Sequence, residues 1–416
     1  MKRIIIWATA LVLICGTGLL TACSSEDNPS EPSEAKINRE LLAQHFRDDA
    51  LVLKENLSFE AIDMSSQAIE QLLKLMNKSR YFKEDMKKMM VLLTIQNLAD
   101  KRNLHGVRVV FDEMGNYKAS PATGMVFIFP ATIKGYPKTL YKLSFASNRN
   151  WNDIPEKLDI ILSCMNDGKE VVLCKSVSGI KMYSDYPGLA AMALGTFGFE
   201  SKVEYIPLGA DDGNGTSAID IAASRKEDGS LDFRFGYVQN NLNILDVSTS
   251  LPLPRNYVIS TVAGVIEGAD NFTVNASILD DLYLTGNVGN GMSFMSALRD
   301  VMDHSGDKEQ SQEQYNEFFK QLNRYISMYI ACGKNGKAIP MQFAGESDGE
   351  SFFFLPTFAL DSSSDFTPLR EIVDQATYES IVDAVRKTAL PVSTSSTAYT
   401  DLLTMLMQIL PIGVSN

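Results

Sequence analysis

Histidine is the scarcest chemistry-bearing residue of this chain: His45, His105 and His304 are the three among 416 residues. No HExxH, no pair of histidines at ligand spacing and no Cys-x-x-Cys occurs. A zinc centre needs three or four converging nitrogen, sulfur or carboxylate ligands, and the sequence holds no local nucleus for one. No G-x-S-x-G elbow is present, so the α/β-hydrolase route to an activated serine is missing. The glycines of Gly286-Asn287-Val288-Gly289-Asn290-Gly291 match neither G-x-G-x-x-G nor G-x-x-x-x-G-K-[ST], and they read as a strand-to-helix turn. His304, between Asp303 and Asp307, reads as a solvated loop histidine rather than a general base.

Positive charge is also in short supply. Thirty-eight Lys and Arg face 51 Asp and Glu, for a formal charge of −13. Binding to nucleic acid depends on lysine and arginine replacing phosphate counterions, and no basic stripe with interleaved aromatics is present. Nucleic acid is therefore not an expected partner. Apolar residues make up 45% of the chain and no long low-complexity tract interrupts them. A chain of this length and composition builds a substantial core, divided among two or three subdomains.

The first residues carry the plainest signal. Met1-Lys2-Arg3 is a short basic start, Ile4 to Leu20 is apolar, and Leu20-Thr21-Ala22 leads into Cys23. That order is a secretory signal peptide rather than a membrane span, which needs about 20 apolar residues and ends in basic flanks. It resembles a bacterial lipoprotein signal with its lipobox ending at Cys23. The resemblance implies cleavage before Cys23 and acylation of that cysteine. Ser24-Ser25-Glu26-Asp27-Asn28 follows, and serine then acidic residues at this place resemble the surface-export flank of Bacteroidota lipoproteins. The resemblance implies an outer-membrane protein facing the cell surface, with the periplasmic face as the alternative. Residues 23–36 then form a lipidated, flexible acidic tether, rich in Ser, Glu, Pro and Asn and too polar to bury itself.

With Cys15 removed and Cys23 acylated, Cys164, Cys174 and Cys332 remain. An odd number excludes a complete disulfide framework. Asp167-Gly168 marks a two-residue hairpin turn, which sets Cys164 opposite Val171 and Cys174 opposite Ile161. Cys174 is then expected on the other face of the sheet, and all three are expected as buried thiols.

The expected fold class is α+β, with N-terminal helices, a long antiparallel β-meander region and a helix-flanked C-terminal part. The segments are a signal peptide over 1–22, the tether over 23–36, helices over 37–104, a β-rich region over 105–290 and mixed structure over 291–416. Ile69, Leu72, Leu73 and Met76 recur at helical spacing. So do Met86, Met89, Met90, Leu93 and Ile95, a methionine-rich stripe that reads as core rather than as a pliable groove. From Val107 the period changes to two. Met125 to Phe129 is apolar on both faces, as a central strand should be. Leu231, Phe233, Phe235 and Tyr237 alternate with Asp232 and Arg234, which predicts one packed and one wet face. Tyr257 to Ile266, Phe272 to Ile278 and Leu282 to Thr285 continue the strands. Phe294 to Met302 and Gln312 to Ile330 read as helices. Ile339 to Phe343 and Phe352 to Leu360 read as a hairpin. Thr367-Pro368 opens a helix to about Lys387, and Tyr399 to Leu410 is a final helix.

Two loops carry candidate ligand sites. Asp212, Asn214, Thr216 and Asp220 place oxygens at alternate positions, as a Ca²⁺ loop does. Ser217 and Ala223, however, stand where an EF-hand has its glycine and bidentate glutamate, which favours an ordinary turn. Trp151, set among amides and charges at Ser147 to Asp153, suits stacking on a sugar ring, though a loop anchor at the sheet edge is favoured. No catalytic residue can be named and no cofactor is implied. The expectation is a membrane-anchored lipoprotein with a non-catalytic binding role for a glycan, lipid or partner protein. A structural or assembly subunit of an envelope complex is the alternative, ahead of a carboxylate-based hydrolase.

Overall fold

The period-two alternation that begins at Val107 governs most of the molecule. The computed structural model describes residues 34–100, 106–147, 156–182, 195–209, 215–259, 262–304, 312–347, 352–362 and 365–409. Cys23, the tether, His105, Trp151, Asp212, Asn214 and most of the apolar Tyr186 to Gly195 segment lie outside them. The described residues divide into two compact units, 58–226 with 391–409 and 34–57 with 227–390.

The first unit opens with α2 (Glu60–Lys78) and α3 (Phe82–Asp100), which follow α1 (Glu34–Asn56) of the second. Eight strands then follow: β1 (Gly106–Phe111), β2 (Tyr117–Ala122), β3 (Met125–Ala131), β4 (Thr139–Ser147), β5 (Lys157–Asn166), β6 (Lys169–Met182), β7 (Phe197–Tyr205) and β8 (Ser217–Arg225). Their order is β8-β7-β6-β5-β4-β3-β1-β2. Neighbours are antiparallel except β1 and β3, which run parallel with Val109 beside Phe127. Period-two burial is clearest on β3, where Met125, Phe127, Phe129 and Ala131 are buried and the residues between them are not. That face continues through Tyr141, Leu143 and Phe145 of β4 and packs under α2, whose Ile69, Leu72 and Met76 are almost fully buried. The methionine stripe belongs to the core as well: Met86 and Met90 of α3 are buried.

The β5–β6 hairpin turns at Asp167-Gly168, both with positive φ (48° and 76°), as a type I′ turn requires. Cys164 pairs with Val171 as expected. Cys174, however, pairs with Leu162 and not with Ile161, because the register shifts between Leu162 and Ser163. Leu173 is the extra residue of a β-bulge, which moves every later side chain of β6 to the opposite face. Cys174 consequently shares the buried face with Leu162 and Cys164 instead of projecting from the other side. All three described cysteines are buried and none is in a disulfide.

The second unit carries β9 (Leu231–Gln239), β10 (Leu242–Leu251), α4 (Val262–Glu267), β11 (Asp270–Ile278) and β12 (Leu282–Asn290). After these come α5 (Gly291–His304), α6 (Gln312–Tyr325), β13 (Ile326–Cys332), β14 (Ile339–Ser347), β15 (Phe352–Phe358) and the two-residue β16 (Thr367–Pro368). A 3₁₀ turn (Leu369–Glu371) leads to α7 (Gln375–Ile409), whose residues from Pro391 onward are counted with the first unit. The strands lie in chain order and every described pair in this unit is antiparallel. Leu251, Phe272, Leu282, Ile330 and Ile339 are buried, and α5 and α6 pack on β12, β13 and β14. The opposite face is polar and cross-linked: Arg234 Nη2 lies 2.6 Å from Asp246, Ser250 donates to Asp232, and Thr273 to Asn287. The architecture is α+β.

Several expected boundaries move. Where a strand is expected over Tyr257 to Ile266, residues 257–259 are in no strand and Val262–Glu267 is α4. The glycines from Gly286 to Gly289 lie within β12, and Gly291 alone makes the strand-to-helix junction. A Cβ there would collide with the carbonyl oxygens of Ile266 and Ala269, so only glycine fits. The helix expected to run to Ile330 stops at Tyr325, where the alternation of Ile326, Met328 and Ile330 takes over as β13. Thr367-Pro368 pairs with β15 and leads into the 3₁₀ turn instead of opening the long helix. Asp374 supplies the cap of α7, accepting from the Thr377 N–H at 2.9 Å. The two expected C-terminal helices are one, running through Pro391 to Ile409, and His304 is the last residue of α5 rather than part of a loop.

Candidate functional site

Two groupings of side chains stand out, one in each unit. In the first unit, the amphipathy of α2 buries Ile69, Leu72 and Met76 and so turns Gln71, Lys74, Asn77 and Lys78 outward. Two loops rise beside that outward face. The β1–β2 turn is held by Asp112, whose carboxylate accepts from the backbone N–H of Met114 and of Asn116 at 2.9 Å each. The Asn116 side chain, with those backbone bonds, holds the Asp112 carboxyl below its ordinary range. Gly115 (φ +88°) brings the turn against α2, where a Cβ would lie 2.9 Å from Lys78 Cβ. The β3–β4 loop is fastened to α2 twice: Lys134 N–H donates to Gln67, and Tyr136 Oη donates to Glu60 at 2.5 Å. The bond to Glu60, with burial, pushes the Tyr136 phenol up to about 12.

These three pieces enclose an open cleft of about 560 Å³. Its floor is Leu75, Pro130 and Ala131, and its polar wall is Gln71, Asn77 and Thr132. Lys74, Lys78, Lys138 and Glu113 complete the lining. Lys138 Nζ lies 2.5 Å from Glu113 Oε1. Lys74 sits 4.0 Å from Glu70, one turn away and largely in solvent. Lys78 makes no ion pair among the described residues. The cleft is cationic on balance within an acidic chain, and its volume falls in the range of small-ligand sites, about 300–1,000 Å³.

In the second unit, His45 and Asp49 stand one turn apart on α1, which packs on β13. They face Asp281, the residue that ends the β11–β12 turn. That turn holds Leu279 and Asp280 at φ 53° and 55° and is tied to the residue just after β13 by the bond from Gly333 N–H to Asp281 O at 2.6 Å. His45 Nδ1 is 2.5 Å from Asp281 Oδ2. Asp49 is 7% exposed, and its Oδ2 makes no hydrogen bond among the described residues. Burial first, and then the Asp281 charge, pushes the Asp49 carboxyl from 3.8 up to about 7. Burial, with the same two acids nearby, pushes the Cys332 thiol up to about 11. A thiol so raised stays protonated at neutral pH and is a poor nucleophile. The cluster can exchange a proton near neutrality and ties α1 to the sheet. Among the described residues no group of three or more His, Cys, Asp or Glu side chains is arranged to hold a metal.

The sequence-level candidates fare differently. Thr216 precedes β8, and Asp220 lies in mid-strand, in register with Lys202 of β7. The Asp220 charge helps to raise the Lys202 ammonium, after the Glu204 hydrogen bond. Asp220 is thus part of a cross-strand charge pair. Asp212, Asn214, Trp151 and Cys23 are outside the described residues. Sequence reasoning misses the cleft lysines and the Asp49–Asp281 pair. The i, i+4 spacings of Lys74 with Lys78 and of His45 with Asp49 are the signals available for them.

No family model matches the chain, and no curated protein or solved structure matches it at a significant level.

Proposed function

We propose that this protein is a lipid-anchored envelope lipoprotein that binds a ligand without transforming it, and that the cleft beside α2 is where it binds. The observation that carries the reading is the cleft: a helix face, a backbone-tied turn and a doubly fastened loop converge on one polar, lysine-lined space. A pre-formed concave site with a few convergent polar groups is the usual form of a small-molecule site. The lipobox at Cys23 and the acidic tether support an anchored body, facing the cell surface on the strength of the Ser24 to Asn28 flank.

The test is a thermal-shift screen of the full-length protein against glycans, lipids and peptides, run beside the Lys74→Glu/Lys78→Glu variant. The expected result is a ligand that raises the melting temperature of the wild type and not of the variant. Stabilisers that act equally on both, or none at all, would defeat the reading. Metabolic palmitate labelling checks the anchor separately: label is expected on the wild type and not on Cys23→Ser.

A further inference from the structure

We infer that the cleft beside α2 recognises an acidic saccharide, a sugar bearing a carboxylate or sulfate. This rests on the cleft being the binding site. The class follows from what each wall can do. Lys74 and Lys78 project from successive turns of α2 into the cleft. Lys78 has no ion pair among the described residues, and the Lys74–Glu70 pair at 4.0 Å is exposed and weak. Together they offer a positive slot that a single anionic group fills, whereas Lys138 is already neutralised by Glu113. Charge-assisted hydrogen bonds from ammonium to carboxylate or sulfate are the strong polar contacts available there.

The remaining polar wall is suited to hydroxyls rather than to a second charge. Gln71 and Asn77 each carry a donor and an acceptor, and Thr132 adds a hydroxyl that can do either. A ring bearing several hydroxyls satisfies this mixed set. The buried Leu75 and Ala131, with Pro130, form a small apolar floor against which the C–H face of a sugar ring can lie. Other classes fit less well. Among the described residues no aromatic side chain lines the cleft, so a nucleobase finds nothing there to stack on. The apolar floor of three residues is too small for an acyl chain, which needs a lining that is apolar throughout.

The experiment is isothermal titration of the full-length protein at low salt with four probes: glucuronate, glucose 6-sulfate, glucose and inorganic sulfate. Glucuronate or glucose 6-sulfate is expected to bind at least about tenfold more tightly than glucose and than inorganic sulfate, a difference of one decade in Kd. Which of the two binds better tells a carboxylated from a sulfated ligand. The Lys74→Gln/Lys78→Gln variant should lose at least about tenfold toward the acidic sugar. Its melting temperature should be unchanged, because both side chains are exposed. Equal binding of glucose, or no loss in the variant, would overturn the acidic class while leaving the cleft as a ligand site. Equal binding of inorganic sulfate would reduce the cleft to a simple anion site and overturn sugar recognition. Binding of none of the four overturns the inference; if the wider screen of glycans, lipids and peptides also finds nothing, the binding function falls with it.

Discussion

Asp49 is the residue with most at stake energetically. Its carboxyl sits at about 7 in the folded protein and near 3.9 when unfolded. Below about pH 4 both states are protonated and the group costs nothing. Between about pH 4 and 7 the unfolded chain has lost the proton while the folded chain keeps it, so ionisation favours unfolding more strongly with each step in pH. Stability should therefore fall from pH 4 to 7 and level off above. At roughly 1.4 kcal/mol for each pH unit between those two values, the loss is of order 4 kcal/mol. Urea denaturation across that range should show the wild-type midpoint declining. Asp49→Asn should flatten the profile and be the more stable protein at pH 8. A wild-type profile rising from pH 4 to 7 would contradict this. The buried cysteines give a second residue-level check: Cys164, Cys174 and Cys332 should react with Ellman's reagent only after denaturation, burial holding the Cys164 and Cys332 thiols above their ordinary range. In the core, Leu72→Ala should cost about 2–5 kcal/mol, the usual range for a fully buried leucine, measured by the same denaturation.

At the scale of elements, what can be read from the sequence is whatever a local period or turn residue fixes. Asp167-Gly168 announces its hairpin because a type I′ turn demands positive φ at both places. β3 announces itself as central because it is apolar on both faces. The bulge at Leu173 leaves no mark, since one more apolar residue in Val171 to Cys174 changes register without changing composition, and the sequence pattern puts Cys174 on the wrong face. The α6–β13 boundary is hidden for a related reason. Tyr325, Ile326 and Tyr329 satisfy a helical spacing, while Ile326, Met328 and Ile330 satisfy a strand, and pairing with β12 decides between them. Thr367-Pro368 has the look of a helix start, but pairing with β15 claims it and Asp374 takes over the cap. Asp374→Ala should cost about 1 kcal/mol as a fall in melting temperature, and the cap's backbone bond from Thr377 is what holds that carboxyl below its ordinary range. Pro391 does not end α7, because a 35-residue helix keeps the rest of its hydrogen-bond ladder when one donor is missing.

For the whole molecule, long-range placement is the part that sequence cannot supply. His45 and Asp281 stand 236 residues apart, and no local pattern links them. Lys74 and Lys78 are visibly paired on a helix, but only the fold brings Thr132, from beyond β3, to the same space. That convergence and the proposed lipid anchor at Cys23 are two independent features joined in one proposal. A glycan array probed in parallel with the full-length wild type and the Lys74→Glu/Lys78→Glu variant is the most direct trial of it. The account predicts that the wild type marks uronate-bearing or sulfated glycans and that the variant leaves them dark. An array on which both proteins give the same pattern, or on which the wild type marks nothing, would contradict it.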